Sequence, residues 1–249
     1  MTDKSNFRKY RPLIDRTNEF DRNQLEAFRM RDEPETGLVE YYAAHTDYMD
    51  SEARIVFIGI CPGFEQMKLS FDLVKELENE KDEEKVLREA KVNARFGRSM
   101  RRNLITLADE TILPQLLDIQ SSAELFKPDC HLMDNTSLLP YPVFHNGKNY
   151  TGHAPLIRKS PLLSEICKTQ LEKIMDSYPE AIFIPLGKSV DSTVSETHII
   201  PEERIIHGFP HPSGANGHRF KQLAQNLSAI NASLQEKLKK TPAKSCQSA

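Results

Sequence analysis

The chain has 249 residues, of which 28% are charged and 39% hydrophobic, with a formal net charge of -3 and a pI near 6.3. That length suits one sizeable α/β domain with a full core, and the balance excludes the global basic signature of many nucleic-acid binders, so any such binding has to be local. No apolar run is long enough to cross a membrane, and Met1-Thr2-Asp3-Lys4 opens no signal-like apolar segment, so a cytoplasmic protein is expected. Cys61, Cys130, Cys167 and Cys246 stand far apart with no CxxC pair and no CxxH spacing, which gives no support to a zinc or iron-sulfur site and suits a reducing compartment.

In chain order, residues 1 to about 50 read as an N-terminal helical cap, with a helical stretch near Arg22 to Met30 and an aromatic patch at Tyr41, Tyr42 and Tyr48. Arg54-Ile55-Val56-Phe57-Ile58 reads as a buried parallel strand that delivers the tight loop Gly59-Ile60-Cys61-Pro62-Gly63 at its carboxyl end. Residues 68 to 93 carry Leu69, Leu73, Leu77, Val86 and Leu87 among dense Glu and Lys, the pattern of a solvated helical pair inserted into the domain. A basic cluster follows, Arg95, Arg98, Arg101 and Arg102, and opens a helix over Met100 to Asp109.

His131-Leu132-Met133 predicts a second strand ending at Asp134-Asn135-Thr136, and Asn146-Gly147 a turn with positive φ. Ile166, Leu171 and Ile174 space an amphipathic helix over Ser164 to Asp176. Ala181 to Gly187 reads as a third buried strand that opens a helix at Lys188 or Ser189, and Ile205 to Phe209 as a fourth, shorter strand. It ends at His211-Pro212-Ser213 and the loop Gly214-Ala215-Asn216-Gly217-His218-Arg219. Leu223, Leu227, Ile230 and Leu234 mark a last helix from Phe220 to Leu238, with a disordered tail over 241 to 249.

Alternating strands and helices predict an α/β fold: three layers, α/β/α, around a central, mainly parallel four-stranded sheet, in a single domain over residues 1 to 240. In such a sheet the strand ends share an edge, so the loops at Cys61, Asn135 and His211 are expected to converge. Four motifs in this order carry a resemblance: GxxPG at Gly59 to Gly63, Phe96-Gly97 opening a helix, Asn135 followed by Gly147-Lys148-Asn149, and His211-Pro212-Ser213 before the last helix. Together, from about residue 38 to 234, the chain resembles the uracil-DNA glycosylase superfamily, most closely its single-strand-selective monofunctional branch.

The resemblance implies a monofunctional glycosylase that hydrolyses the base-sugar bond of a flipped uracil or modified base in DNA and leaves an abasic site, in repair or in defence against modified foreign DNA. Flipping and reading a base calls for an aromatic face, a side-chain amide, a donor toward the leaving base and a held water. Phe96, with Phe64 as substitute, fits the first; Asn135 the second; His211 the third; and Cys61-Pro62 occupies the water-holding loop, with Gly59 and Gly63 beside the base. Ser213, Pro212, Asn216 and Arg219 are expected on the DNA backbone.

No cofactor is implied and no metal, and the partner is single- or double-stranded DNA, bound by a monomer in the cytoplasm, in the nucleoid of a prokaryote or the nucleus of a eukaryote. Relatives usually carry Asn, Asp or Glu where Cys61 stands, and a shorter spacing between Pro62 and Phe96. These departures keep a second reading open, a catalytically weak or inactive DNA-binding protein of the same fold. The one lysine in the matched motifs is Lys148 of the Gly-Lys-Asn segment, and no Schiff-base role is expected of it.

Overall fold

A computed structural model describes residues 4–17 and 19–238. The tail expected over 241 to 249, and Cys246 within it, lie outside the described residues. The contacts group the chain into two compact units, each built from three separate stretches of sequence. The first comprises Met1–Met49, Ile60–Arg95 and Ser137–Gln170; the second comprises Asp50–Gly59, Phe96–Thr136 and Leu171–Ala249.

In the first unit, helix α1 (Ser5–Arg16) leads into a 3-10 turn at Arg22–Phe28. Where the sequence suggests only helix, strands β1 (Arg29–Glu33) and β2 (Leu38–Tyr41) form an antiparallel hairpin, with Arg31 opposite Glu40. The signal is faint because β1 is Arg-Met-Arg-Asp-Glu, a composition with little intrinsic strand preference. Cross-strand pairing supplies what propensity lacks: Arg31 Nε donates to Glu40 Oε2 at 2.7 Å. Strand β2 continues onto β5 (Val143–His145) and that onto β6 (Lys148–Asn149), giving a four-stranded antiparallel sheet in the order β1-β2-β5-β6. The two-residue turn joining the last pair has Asn146 at φ 49° and Gly147 at φ 74°, the mirror-image turn that Asn-Gly favours.

Helices α2 (Phe64–Glu76) and α3 (Glu83–Ala94) form the expected pair. Asp82 caps the second through its Oδ1, which accepts from the Glu84 and Lys85 amides. The pair is more than a solvated appendage. Met67, Phe71 and Val74 of one and Val86, Leu87 and Ala90 of the other are buried in a single apolar cluster with Phe7, Tyr10 and Ile14 of α1. Aromatic rings dominate this cluster: Tyr10 stacks on Tyr42 at 4.4 Å, and Phe71 meets both Phe20 and Phe28 within 5 Å.

The second unit carries the parallel sheet, in the order β4 (Met133–Ser137), β3 (Ile55–Gly59), β7 (Ile182–Pro185). Strands β3 and β7 are apolar in nearly continuous runs, as expected where both faces are covered, whereas β4 is polar after Met133. Helices α4 (Arg98–Asp109), α5 (Leu113–Leu116), α7 (Lys188–Thr197) and α8 (Arg219–Leu238) belong to this unit, while α6 (Pro161–Ser177) starts in the first and ends in the second. Leu104, Leu107, Leu223, Ile230 and Leu234 pack with Phe57, Ile182 and Ile184 in one core.

Two sequence expectations change here. The second strand starts at Met133 and runs through Asp134, Asn135 and Thr136 to Ser137; just before it, the Leu132 carbonyl accepts the amides of both Arg54 and Ile55. The fourth strand is reduced to one parallel bridge between Phe183 and Ile205. After Ile206 donates to the Phe183 carbonyl at 2.8 Å, Gly208 turns to φ 81° and its amide goes to Asp191 Oδ2 at 2.9 Å, so the ladder cannot continue. The chain is therefore an α/β protein with a three-stranded parallel sheet, and the expected four-stranded centre is not formed.

Candidate functional site

Parallel strands place their carboxyl ends on one edge, where Gly59 ends β3 and the segment after Leu186 follows β7, while Asn135 stands within β4, two residues before its end. Asn135 is oriented from behind. Asp134, fully buried, accepts the Asn135 amide on Oδ1 at 2.7 Å, and on Oδ2 it accepts the Asp50 amide at 2.9 Å and the Tyr178 hydroxyl at 2.6 Å. The backbone at Asn135 is thereby fixed. Asn135 Oδ1 is buried and has no hydrogen-bond partner. A buried, unpaired amide oxygen costs on the order of 1–3 kcal/mol, a cost that is removed when a ligand donor meets it.

His211 is held as closely. Gly187 lies at φ 87°, and a Cβ there would stand 2.8 Å from the His211 Cβ. Only glycine gives both that backbone conformation and that approach. The Gly187 amide donates to the Phe209 carbonyl at 2.8 Å, which ties the start of α7 to the segment before the histidine. On the other side, Asn103 of α4 donates to the Pro212 carbonyl at 2.8 Å and Asn216 Nδ2 to the His211 carbonyl at 3.0 Å.

The imidazole itself is half-buried, and burial lowers its pKa below the ordinary 6.5, so it is neutral at neutral pH. Its Nδ1 accepts the Ser213 amide at 3.2 Å. With Nδ1 used as an acceptor, the single proton of the neutral ring belongs on Nε2, as a fixed donor.

The remaining loop residues brace it. Ser213 Oγ accepts the Ala215 amide at 3.2 Å. Arg219 donates to the Asn216 carbonyl at 3.0 Å, and Asn216 Nδ2 also donates to Gln222 Oε1 at 2.9 Å. Ser213 and Asn216 thus brace the loop, whereas of Arg219 only Nη1 bonds within it: Nη2 reaches Asn103 of α4, and Nε is buried with no hydrogen-bond partner. Phe96, at φ 42°, is 6% exposed, and its ring meets Phe57 and Phe126 edge-on within the core of this unit.

Cys61, Pro62, Gly63 and Phe64 belong to the first unit, where the loop has its own supports. Cys61 Sγ accepts the Val143 amide at 3.1 Å and approaches the Tyr141 carbonyl at 3.5 Å. Burial pushes the thiol up to about 12, so the sulfur stays protonated near neutrality and is no thiolate nucleophile. Asn149, in the segment after the Asn-Gly turn, accepts the Phe64 amide at 3.3 Å and would leave a Cβ on Gly63 only 3.3 Å of room. Phe64 is 8% exposed, stacked on Phe20, with the Arg22 guanidinium 4.7 Å from its ring centre.

The supporting residues Gly187, Asn103, Asp134 and Tyr178 escape a motif reading. Only Gly187 leaves a trace in the sequence, as the glycine between a buried strand and a helix. Among the described residues no group of three or more His, Cys, Asp or Glu side chains is arranged to hold a metal, and no helix is long and apolar enough to cross a membrane.

In comparison with known proteins, the chain is 42% identical over 205 residues to a protein of Bacillus subtilis (strain 168), covering 80% of this chain and 79% of that one. That protein is YoxB. The chain belongs to the YoxB family. YoxB is named as uncharacterized, so membership in its family brings no activity with it. No family model matches the chain.

Proposed function

We propose that this YoxB relative is a monofunctional DNA glycosylase of the uracil-DNA glycosylase kind, with a three-layer arrangement of that type, acting on a base turned out of the DNA stack. The observation that carries the reading is the pairing, in one unit, of an unsatisfied buried amide oxygen on Asn135 with a neutral histidine whose Nδ1 is already occupied. Such a pair matches the two demands of the chemistry. Asn135 Oδ1 would accept the imide N–H of a uracil-like base while its Nδ2 donates to the neighbouring carbonyl. His211 Nε2–H would donate to the carbonyl oxygen on which charge gathers as the base departs.

The base-sugar bond breaks with its electron pair on the base, water adds to the anomeric carbon to leave an abasic site, and the proton that water loses passes to solvent, from which the departed base anion takes one up. No lysine is required and no Schiff base is formed. The test is an oligonucleotide panel carrying a single uracil, hypoxanthine, or hydroxymethylated or glycosylated cytosine, followed by alkaline cleavage. Strand scission at one of these bases, lost in His211→Ala, supports the reading; intact strands across the panel overturn it.

A second reading rests on Cys61. A protonated thiol whose sulfur already takes the Val143 amide is a poor holder of water, which favours a slow enzyme or a binder that recognises the base without removing it. Tight, salt-sensitive binding of modified DNA with no abasic product is the result that this reading expects.

A further inference from the structure

The run from Ile206 to His211 leaves the parallel sheet after a single bridge, so strand pairing does not hold the residues that carry the histidine. Its flexible joint is Gly208, at φ 81°, a conformation that glycine adopts freely. Both sides of that joint are tied down. The Gly208 amide donates to Asp191 Oδ2 of α7 at 2.9 Å, and the Gly208 carbonyl accepts from Asn226 Nδ2 of α8 at 2.8 Å.

Asp191 does more than receive that amide. Its other oxygen meets His207 Nδ1 at 2.5 Å, and His207 Nε2 meets Glu202 Oε1, from the 3-10 turn Glu202–Arg204, at 2.7 Å. One carboxylate thus holds two successive residues, a task that calls for an acceptor with two oxygens. The Asp191 side chain is 17% exposed against 72% for Glu202, so the inner contact of the imidazole is the less screened of the two. Beyond the joint, Phe209 is buried in the core and Pro210 has its φ fixed by its ring. The placement of Gly208 therefore passes to His211 through two residues with little freedom of their own.

We infer that Asp191 is a positioning residue for His211: by latching His207 and Gly208 onto α7 it aims the Nε2–H of the histidine two turns of argument removed from any motif. The inference rests on the reading of His211 as the donor to a departing base, and it adds to that site a residue that touches neither base nor sugar.

The experiment compares three variants of the full chain by single-turnover base removal, DNA affinity and nitrogen NMR of the imidazole rings. Asp191→Leu loses both hydrogen bonds; its rate should fall by about 10- to 100-fold with DNA affinity unchanged, and the His211 ring nitrogens should shift from a single Nε2–H tautomer toward a mixture. In Asp191→Asn the amide oxygen can still accept the Gly208 amide and the amide N–H can donate to His207 Nδ1, so rate and ring shifts should stay close to wild type. Val194→Ala, on the buried face of the same helix, should lower the melting temperature and leave the rate as it was. Unchanged rate and ring shifts in Asp191→Leu, or a loss in Val194→Ala equal to that in Asp191→Leu, would overturn the latch while leaving the glycosylase reading standing. A wild type inactive on every base overturns that reading instead, and the His211 ring shifts then decide the latch by themselves.

Discussion

His211 and His45 show how burial sets the charge of one residue type for two ends. Both are held below the ordinary histidine pKa by burial, but His45 is 3% exposed and falls to about 3, with the ammonium of Lys91 adding to the effect. A folded-state value below the unfolded one means that protons bind preferentially to the unfolded chain. The stability that His45 contributes is therefore complete above pH of about 6.5 and is lost as the pH falls toward 3. Denaturant unfolding between pH 7.5 and 4 should show this decline, and His45→Gln should flatten it; an unchanged slope would show that other groups govern acid unfolding. At Cys61, burial acts in the opposite chemical direction, holding the proton on the thiol. Cys61 should resist alkylation by iodoacetamide at neutral pH in the native protein, as measured by mass spectrometry after digestion; rapid modification would contradict the assignment.

The joints between strand and helix decide where the candidate residues stand. Gly187, between β7 and α7, combines φ 87° with a 2.8 Å approach to His211. Gly187→Ala should therefore move the histidine loop and cost about 1–3 kcal/mol of stability. Its activity loss should exceed that of a surface control of equal stability, which separates placement of His211 from general unfolding. Much of this level was legible in the sequence. The helix pair after the first strand, the Asn-Gly turn and the helices following Gly97, Gly187 and the histidine loop all follow from apolar spacing and turn chemistry. The β1–β2 hairpin was not, because Arg29 to Glu33 forms a strand through its pairing with β2 rather than through its own preference. The expected fourth strand failed for a related reason: Asp191 captures the Gly208 amide that a ladder would have used.

On the scale of the whole molecule, net charge conceals a local pattern. Acid-free stretches around α4 and at the start of α8 meet at the histidine loop through Asn103 and Arg219, a connection invisible to a reading of composition alone. The candidate site was legible as four ordered motifs. What the motifs could not convey was how each residue is engaged: the inward burial of Phe96 and Phe64, the loop-bracing work of Asn216 and Arg219, and the unpaired oxygen of Asn135. These depend on long-range packing that no local pattern encodes. The central claim is that Asn135 and His211 together remove a base from DNA. Single-turnover cleavage of a uracil- or modified-base oligonucleotide tests it most directly: wild type should yield abasic sites, with a rate about 10²–10³-fold lower in His211→Ala. Equal product from wild type and His211→Ala, or none from the wild type on any base of the panel, would contradict it.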